Sequence, residues 1–154
     1  MLREVRSYFR TLQEEFPEIK YFAFGVDEQT LRERVSTFDD YYMFVDYGEF
    51  DSNRDDKNRL IDSWQLAVTV AQPLASRTLL PDEVDEYHLQ SFEITARIRA
   101  RMLEQQHSHP WLQYLSDNHG IAPFIAPEIC RSVGHSILFQ LKGLDLLSVK
   151  KRMP

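Results

Sequence analysis

Three histidines stand close enough along the chain to suggest a metal centre. His107 and His109 are two residues apart, and His119 follows further on. Two imidazoles at that spacing converge when the backbone is extended, and a third nitrogen returning from the next loop makes up a common zinc ligand set. The spacing matches no zinc finger, and the single cysteine, Cys130, supplies no thiolate pair. The plainer reading puts these residues at a helix C-terminus and in the turn behind it, where a cationic ring suits the helix dipole. We adopt the plainer reading, keep His107, His109 and His119 as the candidate ligands, and expect no cofactor.

A second group of chemically capable residues is acidic: Asp39, Asp40, Asp46, Glu49, Asp51, Asp55 and Asp56. Paired carboxylates do acid–base work or hold a divalent cation. Asp51, Asn53 and Asp55 begin like a calcium loop, but Lys57 and the absence of glycine at the sixth position break that pattern. A solvated loop is the expected role. His135 falls on the apolar side of an alternating segment and reads as a core histidine. Cys130 reads as a small apolar filler with no activating base nearby in the sequence. Glycines 25, 48, 120, 134 and 143 are scattered, so no phosphate-binding loop or dinucleotide fingerprint forms. Neither a nucleophile elbow nor a His-Glu-x-x-His helix occurs. We therefore expect a protein that is not an enzyme.

Composition sets the frame for these residues. A length of 154 residues fits one domain able to bury a core without a disulfide or a structural metal. Hydrophobic residues make up 43% and charged residues 27%, which is globular rather than disordered. With 24 acidic against 18 basic residues, the chain lacks the cationic surplus that drives tight nucleic-acid binding. Lys142, Lys150, Lys151 and Arg152 form a basic tail that reads as a solvated terminus. The N-terminus is charged where a secretory signal would be apolar, and no apolar run is long enough to span a membrane. With one cysteine, these features point to the cytoplasm.

The periodicity predicts the elements that hold the candidate residues. Leu2, Val5, Phe9, Leu12 and Phe16 follow helical spacing, and Pro17 stops the helix. Residues 21–26 form a short strand. Residues 27–35 are ambiguous, with Asp27 available to cap a turn or two of helix. Residues 41–47 form a second strand. Residues 51–59 form an exposed charged loop, in which Asp51, Arg54, Asp55, Asp56, Lys57 and Arg59 are the candidate interface. Trp64, Leu66, Val68 and Val70 alternate with small or polar residues, as a strand with one buried face does, and Pro73 ends it. A long helix over 82–106, capped by Asp82 or Asp85, places Phe92, Ala96 and Leu103 along one side, flanked by Ile94, Ile98 and Met102. Arg97, Arg99 and Arg101 read as a solvated face. A short helix starts at Pro110 and ends at Gly120. Residues 121–125 are apolar but interrupted by Pro123, and 121–130 are open between strand and loop. Val133, His135, Ile137, Phe139 and Leu141 alternate as the final strand. The expected fold is α+β in the order α-β-β-β-α-α-β, with a mostly antiparallel sheet of about four strands and helices packed on one face.

This order of elements resembles the small tail-terminator and tail-completion (neck) proteins of tailed phages and prophages. The features that carry the resemblance are the helix from Leu2 to Phe16, the long hairpin from Tyr41 to Val70 with its charged tip, the helix from Tyr87 to Gln106, and the segment Gly134-His135-Ser136-Ile137-Leu138-Phe139-Gln140-Leu141. The resemblance implies a structural virion protein forming an oligomeric ring, often a hexamer, with itself and other virion proteins as partners. The acidic balance of the chain is compatible with a channel that lets DNA pass without binding it tightly. Two other readings remain beside it: a small bacterial adaptor domain from a mobile element, binding a protein partner, and a ligand-binding or enzymatic domain using His135, tyrosines and the acidic cluster.

Overall fold

The computed structural model describes residues 1–25, 28–74, 80–126, 131–144 and 146. In chain order it contains α1 (Leu2–Glu15), β1 (Tyr21–Phe24), α2 (Glu28–Val35), β2 (Tyr42–Asp46), β3 (Phe50–Arg54), β4 (Leu60–Pro73), α3 (Pro81–Glu104), a 3-10 turn (Leu112–Tyr114), β5 (Leu115–Ala126) and β6 (Ser132–Leu144). The class is α+β, as expected. The sheet, however, has six strands and is mixed, in the order β1-β2-β4-β6-β5 with β3 also paired to β4. Two events outside the hairpin account for part of the difference, and β3, formed within the expected charged loop, for the rest.

The first is that β1 pairs with β2 in parallel, Tyr21 opposite Tyr42 and Phe24 opposite Val45. Parallel neighbours need a crossover rather than a tight turn, and α2 provides it. The ambiguous segment is thus a helix, and Asp27, its expected cap, lies outside the described residues. Leu31 and Val35 of α2 pack with Ala23, Tyr42, Phe44 and Ala71 on the sheet face turned away from α1 and α3. Helices therefore cover both faces, not one.

The second is β5. The segment expected to be helical from Pro110 to Gly120 is reduced to the 3-10 turn, and the chain then runs as a strand through Gly120 to Ala126. A helix this short is marginal by itself, whereas the thirteen-residue β6 offers a continuous ladder. Pro123 is accommodated because β5 is an edge strand. Cys130 and the rest of 127–130 lie outside the described residues.

The long hairpin is present. β2 and β3 form one interrupted arm against β4. Asp46 sits opposite Ala67, and pairing resumes with Phe50 opposite Trp64, so Tyr47, Gly48 and Glu49 face only Gln65 and Leu66. The extra residue is a β-bulge. Gly48 makes it possible: its φ is +57°, and an added Cβ would lie 2.4 Å from the Gln65 carbonyl oxygen. Asp46 Oδ1 accepts the Gly48 N–H at 2.9 Å and fixes the bulge.

One face of the sheet carries the main core. Met43 and Val45 of β2, Trp64, Leu66, Val68 and Val70 of β4, and Ile137, Phe139 and Leu141 of β6 meet Val5, Tyr8, Phe9 and Leu12 of α1 and Ile94, Ile98 and Met102 of α3. These are the alternating sets the sequence predicts for β4 and β6. α1 ends as expected, with Phe16 extended (φ −108°, ψ 99°) before Pro17. Gln13 is buried and donates from Nε2 to the Ile19 carbonyl at 2.8 Å. α3 begins with Pro81 in its first turn behind Leu80, not with a capping aspartate; Asp82 and Glu83 sit in the first turn, where the dipole favours them.

Candidate functional site

The charged tip of the β3–β4 hairpin is the most elaborately bonded surface feature. Asp55 organises it. Its Oδ1 accepts the N–H groups of Lys57 (2.9 Å) and Arg59 (2.8 Å), and its Oδ2 accepts from Arg59 Nε at 2.7 Å. The Arg59 guanidinium also pairs with Oδ2 through its terminal nitrogen at 2.7 Å. The Asp55 N–H donates to the Arg59 carbonyl at 2.9 Å, and Asn58 takes the left-handed conformation (φ 60°) that lets the turn close. Arg54 donates to the Asn58 carbonyl at 3.0 Å. Asp51 accepts the Ser52 N–H at 2.9 Å and the Asn53 side-chain amide at 3.2 Å.

Of the six candidate interface residues, Asp51, Arg54, Asp55 and Arg59 thus shape the arm itself. Asp56 and Lys57 stand exposed at its apex. The arm is only partly a loop: Asp51 and Arg54 belong to β3, and the turn occupies 55–59. The reason is cross-strand: Phe50 stacks on Trp64 at 4.8 Å, and Ser52 Oγ donates to Asp62 Oδ1 at 2.6 Å.

The Arg59 amide, followed by the Arg59 guanidinium and the Lys57 amide, holds the Asp55 carboxyl below its ordinary value of 3.8. A depressed folded value means that the turn is favoured at neutral pH and loses that support as pH falls through the folded value. The expected result is that the amide proton shifts of Lys57 and Arg59 move toward unstructured values only below about pH 3.8. Asp55→Ala should produce the same shifts at neutral pH, with the core resonances unmoved. Unchanged turn resonances in that variant would remove Asp55 from its role.

The histidines are placed separately. His107 is exposed. His109 packs edge-on against the Tyr8 ring at 4.8 Å, while His119 lies on β5 beside Phe139 at 6.4 Å. Among the described residues no three His, Cys, Asp or Glu side chains group so as to hold a metal ion.

His135 sits under α3, on the core side of β6 as expected. Its Nδ1 lies 2.8 Å from the Oγ of Ser91, a fully buried residue. The Ser91 hydroxyl donates to the His88 carbonyl at 2.9 Å. While that proton is committed to the His88 carbonyl, Ser91 accepts from the His135 tautomer that carries its proton on Nδ1; the other tautomer reverses the direction of this bond. Burial, with His88 behind it, lowers the His135 pKa.

The three arginines of α3 do not form one solvated face. Arg97 donates to Glu18 at 2.6 Å and lies over the Phe16 ring, and Arg101 donates to Glu15 at 3.1 Å. Both fasten α3 to the α1 side. Arg99 points the other way, toward β5, and reaches the His119 carbonyl at 3.5 Å.

The buried face of α3 also differs from expectation. Ser91, Ile94, Thr95, Ile98 and Met102 are inside. The stripe Phe92, Ala96, Leu103 faces outward instead, with Phe92 49% and Leu103 37% exposed, joined by Leu89 at 60%. Both stripes follow helical spacing; the arginine at position 99 within the second was the signal that it lies outside.

Two open depressions flank these features. One, of about 390 Å³, lies on the sheet face beyond α2 and is lined by Asp46, Gly48, Gln65, Ala67, Leu138 and Gln140. Leu138 is 53% exposed there. The other, of about 440 Å³, lies between α1 and the end of α3 beside Tyr8, Glu15, Gln105 and His109. Tyr8 donates to Gln105 Oε1 at 2.8 Å, and burial, then Glu15, raise its pKa well above the ordinary phenol range. No helix among the described residues is long and apolar enough to cross a membrane. No family model and no curated protein matches the sequence.

Proposed function

We propose that this chain is a non-enzymatic structural subunit that assembles with copies of itself into a closed ring, in the manner of the phage and prophage tail or neck proteins that the element order expected from the sequence resembles. It would be made in the cytoplasm and reach its place by assembly with other virion proteins. The observation that carries this reading is the pre-ordered charged arm of β3 and β4. Its tip is held by a network centred on Asp55, and Asp51, Ser52, Asn53, Arg54 and Asp56 to Leu60 are all exposed. Ordering so polar a protrusion in advance lowers the entropy lost when it docks. A ring needs two different surfaces that meet head to tail. The arm supplies one, and the uncovered sheet face around Leu138 supplies a second of different character.

Light scattering across a concentration series, with electron micrographs of large species, tests the reading. Removing 51–59 outright would also take away β3, so the suitable variant replaces only 55–59 with Asn-Gly, which closes a hairpin between Arg54 and Leu60. The expected result is a closed oligomer for the parent chain and at least about tenfold weaker assembly for the variant, with its circular dichroism unchanged. Equal assembly by both chains would exclude the arm as the contact. A stable monomer that captures a partner through Leu138 or Phe92 would favour a second reading, a bacterial adaptor domain, which those exposed apolar side chains support.

A further inference from the structure

We infer that the outward face of α3 is a second, independent interface, occupied by α3 of another copy of this chain in an antiparallel, two-fold arrangement centred on Phe92. The inference goes beyond the ring reading and does not depend on it.

The surface is defined by spacing and exposure. Asp85, Leu89, Phe92, Ala96 and Arg99 follow intervals of four, three, four and three, which places them on one helix stripe. Leu89 is 60% and Phe92 49% exposed, and Leu103 continues the stripe one turn beyond Arg99. Elsewhere on α3, Ile94, Ile98 and Met102 lie in the core and Arg97 and Arg101 turn toward α1, while within the stripe Phe92 rests one edge on the His135 ring at 5.5 Å and leaves the rest of its ring exposed. A contiguous apolar stripe on a long helix is a docking surface rather than scattered exposure.

Charge selects the occupant. The first turns of α3 carry Asp82, Glu83, Asp85 and Glu86; its second half carries Glu93 and Glu104 away from the stripe and, on the stripe's β5 edge, the half-buried Arg99, which donates one N–H to the His119 carbonyl and keeps its other donors. A parallel neighbour would set acid against acid. An antiparallel copy sets the acidic end of each helix against the basic half of the other, and opposes the two helix dipoles favourably. With the two-fold axis at Phe92, the two Phe92 rings face each other, Leu89 meets Ala96 of the second copy, and Asp85 meets its Arg99. Alanine at 96 leaves room for the leucine. The stripe is thus complementary to itself, which is the requirement of an isologous contact.

Sedimentation velocity on the full-length chain tests this with Asp85→Arg and Arg99→Asp, each folded by circular dichroism. Each variant alone sets like charges together at both ends of the pair. We expect the mass of the parent species to be halved in each, whether the unit that pairs is a monomer or a ring, and the pair dissociation constant to rise at least about tenfold. An equimolar mixture of the two variants restores opposite charges at both ends and should recover the parent mass. If Arg99→Asp fails to fold because its contact with the His119 carbonyl is lost, Leu89→Glu and Ala96→Lys form an alternative complementary pair. Variants that sediment like the parent, or a mixture that stays at half mass, overturn the inference. The Asn-Gly exchange at the arm leaves this pairing intact, so loss of the ring and loss of the pair are read separately.

Discussion

Truncating Trp64 to alanine is expected to destabilise the fold by about 3–5 kcal/mol, a large share of the roughly 5–15 kcal/mol that holds a domain together. Trp64 is fully buried at the point where the arm joins the sheet. Its ring stacks on Phe50 of β3 at 4.8 Å with 15° between planes and lies 6.4 Å from Trp111. Its indole N–H donates to the Tyr47 carbonyl inside the bulge. The truncation therefore opens a cavity and leaves a bulge carbonyl without its partner. Trp64→Phe keeps a ring against Phe50 and loses only the donor and some volume; about 1–3 kcal/mol is expected for it. Urea unfolding followed by circular dichroism measures both, since fluorescence would be left with Trp111 alone. A loss below about 1 kcal/mol for the alanine variant would mean that the arm is not anchored through this ring.

Gly134→Ala should be nearly as damaging although it adds a single methyl group. Gly134 lies opposite Ala71 at the centre of the sheet. A Cβ there would come within 2.0 Å of the Val70 carbonyl oxygen and 2.6 Å of Ala71 Cα. These are backbone atoms of the paired strand and have no rotamer to retreat into, so β6 must move off β4. About 3 kcal/mol is expected, at the upper end for overpacking. Gly120→Ala is the matched control: it also lies on a β-strand, and a Cβ there meets nothing within 4 Å. The control should change stability by no more than about 0.5 kcal/mol in the same unfolding assay. Equal effects at the two glycines would show that strand propensity, not the close approach, governs both.

What the sequence discloses follows from where the deciding interactions lie. The stripe of α1 and the alternations of β4 and β6 are local patterns, and the structure buries Val5, Phe9, Leu12, Trp64, Leu66, Val68, Val70, Ile137, Phe139 and Leu141 as they require. The hairpin tip was legible in outline because Asp55 and Asn58 are turn formers. The strand pairing of Asp51 and Arg54 was not, because it depends on Phe50 meeting Trp64 across the arm. Long-range choices escaped the sequence altogether. Whether β1 pairs in parallel and whether 115–126 extends as an edge strand are settled by neighbours distant in the chain, whereas the choice between the two stripes of α3 did leave a local sign in Arg99. Arg97 and Arg101 show the same limit, since Glu18 and Glu15 can be recognised as partners only once α1 and α3 lie side by side.

The central pairing of β4 with β6 has a consequence for how the chain is made. It joins residues roughly 60 to 80 apart in sequence, from Pro73 with Ser132 to Ile61 with Leu144. α1 through β4 can collapse first, because their contacts are closer in sequence. During that interval the fourteen-residue β4 offers one entire edge, unpaired and backed by Trp64, Leu66, Val68 and Val70. Such an edge recruits the same strand from a neighbouring nascent chain. Translation speed across α3 and β5 therefore sets how long each molecule stays open to misassociation on the ribosome, and slowing it should lower the yield of native protein before stability is affected.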